Sequence, residues 1–112
     1  MGMAPVHVTQ QNFRETVLQN GRPVLLDFWA PWCTRCTQLA PVMDGLAAAL
    51  EDRLVLAKLN TDECPVLTQQ FGIRTIPALI LFHDGQRSEA LVNPPSRDAI
   101  LDFLEENGIM TE

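Results

Sequence analysis

Positive charge is scarce in this 112-residue sequence: eight Lys and Arg stand against fourteen Asp and Glu, for a formal net charge of −6, and no basic run offsets it. That balance argues against nucleic acid or an anionic membrane as a partner, because both reward clustered cations. Long apolar runs are missing as well, so no stretch is expected to span a bilayer. Cysteine is sparse, and two of the three residues fall within one short motif. That is no framework for a disulfide-stapled secreted domain, and a cytosolic protein fits better. Met1-Gly2-Met3-Ala4-Pro5 has neither the charged opening nor the apolar core of a signal peptide, although a cleaved one would leave no trace. Gly2 fails as a myristoylation acceptor because Val6 occupies the place of the required Ser or Thr. Met1 and Met3 in close succession suggest a start added in cloning, and residues 1–5 are expected to be flexible or added. Internal repeats, linkers and low-complexity segments are absent. With 46% hydrophobic and 20% charged residues, residues 1–112 are expected to form one domain with its own core.

What is present is organised around Phe28-Trp29-Ala30-Pro31-Trp32-Cys33-Thr34-Arg35-Cys36, which sets two thiols at the seam between an apolar run and a helical pattern. Upstream, Val24 to Trp29 is short, apolar and bounded by Pro23 and Pro31, and reads as a buried strand. Downstream, Cys36, Leu39, Ala40, Met43, Leu46, Ala47 and Leu50 recur at steps of three and four, the stripe of a helix with one buried face. Pro41 inside it predicts a kink rather than a break. Cys33 then sits near a helix N-terminus, where unpaired N–H groups and the macrodipole favour a thiolate, the nucleophilic form. Cys36 follows one turn later on the same face, within reach of a small disulfide ring.

The rest of the chain alternates strand and helix signals. Val6-His7-Val8 reads as a strand, then Thr9 as N-cap of a helix with Phe13, Val17 and Leu18 on one face, ended by Asn20-Gly21. Leu54 to Leu59 is a second apolar run reached through a helix, so it should lie parallel to the first in a right-handed βαβ unit. A short helix over Cys64 to Phe71 closes at Gly72. Ala78 to Phe82, the turn His83-Asp84-Gly85 and Arg87 to Val92 read as a hairpin. Ser96 caps a last helix with Ala99, Ile100, Phe103 and Leu104 inward, ended by Gly108. The fold class is α/β, a mixed sheet of about five strands flanked by about four helices, and such sheets put reactive groups at the carboxyl ends of their parallel strands. Asp27 lies within a buried strand, so its pKa should rise toward the range useful for proton transfer; a structural ion pair with Lys58 is the alternative.

These residues resemble the thioredoxin family from about Val6 to Gly108. The resemblance is carried by Asp27-Phe28-Trp29-Ala30, Trp32-Cys33-x-x-Cys36, Pro41, Ala57-Lys58-Leu59-Asn60, Gly72-Ile73-Arg74, Ile76-Pro77 and Gly85. It implies the thioredoxin fold and a protein disulfide oxidoreductase that reduces client disulfides. Cys33 would attack and Cys36 would resolve the mixed disulfide. Asp27 would accept the Cys36 proton through water, with Lys58 nearby. Pro77 would be cis, and Trp32, Thr75, Ile76 and Pro77 would form the client surface. The resemblance further implies client proteins with disulfides as partners, a flavoprotein thioredoxin reductase or similar electron donor, no bound cofactor beyond the Cys33–Cys36 disulfide, a cytoplasmic location and a monomer.

Departures from the family pattern are informative. Thr34-Arg35 stands where Gly-Pro is usual, and the Arg35 charge should stabilise a thiolate and make the disulfide more oxidising, unless Arg35 extends into solvent and matters little. A thiol oxidase or isomerase-like protein is therefore one alternative, and a non-catalytic thioredoxin-fold binding module is another. Thr75 stands where Gly is frequent, and Asn93-Pro94-Pro95 replaces a Gly-containing segment near the client groove. Cys64 is either a reactive thiol or a small apolar filler. No metal is expected, since neither His7 nor His83 has a partner at zinc-ligand spacing.

Overall fold

The computed structural model describes residues 4–112, so the expectations for Met1, Gly2 and Met3 lie outside the described residues. The centre of the molecule is β2 (Val24–Trp29), with strands along both edges and packed side chains on both faces, so its first five residues are buried. Along one edge runs β3 (Val55–Asn60), parallel to it, with Asp27 opposite Lys58. Along the other runs β4 (Ala78–His83), antiparallel, with Asp27 opposite Leu79. Outside β3 lies the short parallel β1 (Val6–Val8). Two fragments, β5 (Gln86–Arg87) and β6 (Leu91–Val92), pair with the far edge of β4. The β2–β3 crossover is α1 (Thr34–Ala49); α2 (Pro65–Gln70) and α3 (Arg97–Glu106) follow, and a single π-helical turn occupies Arg14–Leu18.

Strand alternation divides the core between the two sheet faces. Val24, Leu26 and Phe28 of β2 pack with Phe13, Val17, Leu67, Ile80 and Phe82 on one face. Leu25 packs with Leu39, Met43 and Leu46 of α1 and with Ile100 and Leu104 of α3 on the other. Asp27 shares the parity of Leu25, so its side chain enters the face covered by α1.

Thr9 is not the N-cap of the first helical segment: Thr9 Oγ1 accepts from the Asn12 N–H at 3.1 Å and Asn12 Oδ1 accepts from the Thr9 N–H at 2.7 Å within the preceding turn, while Phe13 holds the cap position of Arg14–Leu18 without a side-chain bond. The later helix ends follow the residues that mark them. Ser96 Oγ accepts from the Ala99 N–H at 3.1 Å. At Gly72 and Gly108, φ of +67° and +88° lets the following residue bond back into the helix, Ile73 to Thr68 and Ile109 to Leu104. α1 runs unbroken through Pro41.

Two further expectations needed correction. The arm from Arg87 to Val92 is not one strand: Ser88 leaves the regular ladder, its hydroxyl accepting from the Leu81 N–H at 2.9 Å, and β5 and β6 remain as separate fragments. Leu18 is not inward with Phe13 and Val17; it is 49% exposed, because adjacent residues of a helical turn point to different sides and Val17 takes the inner position. The turn after β4 is as expected, with positive φ at both Asp84 and Gly85, the pairing that suits a two-residue hairpin.

Candidate active site

Local chain geometry sets the first cysteine. The Cys33 N–H donates to the Ala30 carbonyl at 3.1 Å, closing a turn after β2, and Cys33 then becomes the N-cap of α1. Its sulfur takes the place of a capping oxygen and accepts from the Cys36 N–H at 3.2 Å. A negative charge at this atom would be met by the first-turn N–H groups and the helix dipole, the arrangement that favours a thiolate. Cys33 and Cys36 are joined as a disulfide with their Cα atoms 5.2 Å apart. Both are largely buried, packed with Ala30, Trp29 and Ile76.

The loop before β4 faces this ring. Ile76–Pro77 is a cis peptide, and the Ile76 carbonyl oxygen lies 3.7 Å from Cys33 Sγ. Pro77 is buried, Ile76 half-buried and Thr75 exposed beside it. Trp32 is 69% exposed next to the cysteines, with its indole N–H directed at both oxygens of Asp62, at 3.2 and 3.0 Å. Asp62 is itself placed by the Asn60 side chain, whose Oδ1 accepts the Asp62 N–H at 2.9 Å. The sequence reading missed Asn60 and Asp62. The available signal was their position at and just past the carboxyl end of β3, the end where a parallel sheet gathers its site.

On the sheet face covered by α1, Asp27 is 3% exposed, and its Oδ1 has no hydrogen-bond partner among the described residues. Burial pushes its pKa from 3.8 up to about 7, with the Lys58 charge pulling the other way. Lys58 itself lies over the Trp29 indole, 4.3 Å from the ring centroid. No Asp27–Lys58 salt bridge is found among the described residues, although the Lys58 charge still favours the Asp27 carboxylate.

Thr34 and Arg35 occupy the exposed first turn of α1. Cys64 lies on the opposite sheet face, 1% exposed, packed as an apolar filler in the core that holds Phe13 and Leu67. Burial raises its pKa above the ordinary thiol value, a backbone group of Gln10 lowers it and Glu63 raises it further. That is the environment of an inert thiol. His7 pairs with Glu63 at 2.9 Å and His83 with Asp84 at 3.5 Å, and among the described residues no three His, Cys, Asp or Glu side chains cluster as a metal site requires.

Two cysteines three residues apart that close into a ring at a helix start perform one kind of chemistry, the exchange of a disulfide with a pair of thiols. The protein is a thiol-disulfide oxidoreductase in class. Sequence comparison gives the family: the thioredoxin family model matches residues 4–106, and the chain belongs to the thioredoxin family. It is 42% identical over 100 residues to thioredoxin 1 of Synechococcus elongatus, covering 89% of this chain and 94% of that one. Thioredoxin 1 of Nostoc sp. is 40% identical over 104 residues, covering 93% and 97%. The chloroplastic M-type thioredoxin of Chlamydomonas reinhardtii is 40% identical over 98 residues, covering 88% of this chain and 70% of its own.

Proposed function

We propose that this oxidoreductase reduces client protein disulfides by a two-thiol cycle in which Cys33 attacks and Cys36 resolves. The Cys33 thiolate displaces one client sulfur, forming a mixed disulfide and releasing that sulfur as a thiolate that takes a proton from solvent. Cys36 then gives its proton to the Asp27 carboxylate through a water and attacks Cys33, so the second client sulfur leaves as a thiolate. The client gains two electrons and takes up its protons from solvent; the protein gives up those two electrons to become the Cys33–Cys36 disulfide, and the proton from Cys36 passes from Asp27 to solvent. A flavoprotein thioredoxin reductase or a similar donor restores the dithiol, and no bound cofactor takes part. Trp32, Thr75, Ile76 and Pro77 hold the client, whose chain lies extended along the Ile76 backbone. Lys58 modulates Asp27 by its charge.

The observation that carries this reading is the pairing of the Cys36–Cys33 sulfur contact at a helix start with a buried, partnerless Asp27 on the same face. A pure binding surface requires neither. Thr34-Arg35 sets the couple somewhat more oxidising than is usual for the family, by a margin that screening of an exposed charge keeps modest. The protein acts as one thioredoxin domain, a cytoplasmic monomer; among the described residues no helix is long and apolar enough to cross a membrane. Cys36→Ala should accumulate covalent client adducts at Cys33 that dithiothreitol releases, while Cys33→Ser should accumulate none. Equal trapping by both variants would reverse or remove the assigned roles.

A further inference from the structure

Two of the stretches that depart from the family pattern, Thr34-Arg35 and Asn93-Pro94-Pro95, border a single groove beside the disulfide. The groove, of about 130 Å3, is lined by Arg35, Gln38 and Val42 of α1 and by Pro94, Pro95 and Ser96 of the loop leading into α3. At about 30 Å3 per water it holds one side chain rather than a free metabolite of drug size. Its wall is fixed: the Asn93 N–H donates to the Pro77 carbonyl at 2.8 Å, which ties the loop to the cis-proline segment facing Cys33.

The charge of the groove runs against that of the whole chain. Fourteen acidic residues give the protein its net −6, yet none lines this groove, and Arg35 is its one charged lining residue. Arg35 belongs to neither of the ion pairs found among the described residues. Further along the same face of α1, at the i, i+3, i+7, i+10 positions Arg35, Gln38, Val42 and Gly45, the Arg97 guanidinium lies 3.7 Å from where a β-carbon on Gly45 would stand. The N-terminus of α3, capped by Ser96, opens on the groove and adds a positive potential; Asp98 in its first turn is the opposing charge.

We propose that this groove seats an acidic side chain of the client, so that Arg35 is a specificity-determining residue favouring disulfides with Glu beside the attacked cysteine. The proline walls cover the aliphatic stem of the glutamate and the guanidinium meets its carboxylate. The proposal rests on the reductase reading and adds the class of client to it.

The test uses synthetic peptides with one intramolecular disulfide, paired so that Glu in one replaces Gln in the other, with the variable residue placed on either side of the attacked cysteine. Reduction of insulin in the same preparation is the reference. Wild-type protein should show kcat/KM about threefold higher for a Glu peptide in one of the two placements, the scale of an exposed charge pair, and salt should erode the difference. Arg35→Gln and Gln38→Glu should each bring the Glu to Gln ratio close to one. Because any change in thiolate reactivity alters both peptides alike, the ratio isolates docking from redox tuning. Insulin turnover with equal peptide rates in wild type, or a preference that survives Arg35→Gln, overturns this proposal alone; absence of insulin turnover overturns the reductase reading and this with it.

Discussion

Asp27 and Lys58 stand opposite one another in adjacent strands, yet the lysine ammonium lies over the Trp29 ring, 4.3 Å from its centroid, and leaves the buried carboxylate without a paired cation. Asp27 therefore bears most of the cost of burial, and its pKa stands near 7 against 3.8 for an exposed aspartate.

Stability should fall with rising pH because of this one residue. With the folded-state pKa above the unfolded one, the folded protein holds the proton more tightly, so stability is fully present below 3.8 and is lost as pH rises toward about 7. Three pKa units correspond to about 4 kcal/mol as an order of magnitude. Denaturant titrations should find Asp27→Ala gaining on wild type by that order between about pH 3 and pH 8. A constant difference across the range would contradict the burial account.

Turnover should respond to the same substitution. Asp27 can accept a proton only when ionised, so wild-type disulfide reduction should rise through about pH 7. Asp27→Ala should lose that rise and fall about tenfold at neutral pH, less than the roughly 100-fold of a directly positioned base because a water intervenes. Insulin reduction followed across pH checks both.

Much of this site could be read from the chain. The short apolar run Val24–Trp29, bounded by prolines, put Asp27 in a buried strand, and the stripe from Cys36 to Leu50 put Cys33 at a helix start. Both readings rest on local pattern: a strand covered on two faces reads as a continuous apolar run, and a helix covered on one reads as a stripe. What escaped was contact between distant segments. Nothing in Trp32 announces that its indole meets Asp62 thirty residues later, and nothing in Lys58 announces that it stacks on Trp29 instead of pairing with Asp27. The broken arm at Ser88 was hidden for a related reason, since a side-chain hydroxyl there satisfies a backbone donor that a ladder would otherwise claim.

Asp62→Ala should release the Trp32 indole, which only this carboxylate orients among its side-chain hydrogen bonds. Loss of one exposed charge-assisted bond predicts a KM for protein disulfides raised about two- to fivefold with kcat little changed. Steady-state kinetics separate the two constants, and a fall confined to kcat would place Asp62 in the chemistry instead.

Gly72→Ala should destabilise by about 1 kcal/mol although open space surrounds the new methyl group, because φ of +67° disfavours any β-carbon. Thermal unfolding should show it, with activity at low temperature retained.

The most direct test of the account is a redox equilibrium of the Cys33–Cys36 pair against glutathione, read by thiol labelling in wild type and in Arg35→Gln. A single two-electron transition is expected, above the value of about −270 mV typical of a thioredoxin, and lowered by the substitution. The absence of such a transition would contradict the thiol cycle, and a wild-type potential at or below that value would contradict the role given to Arg35.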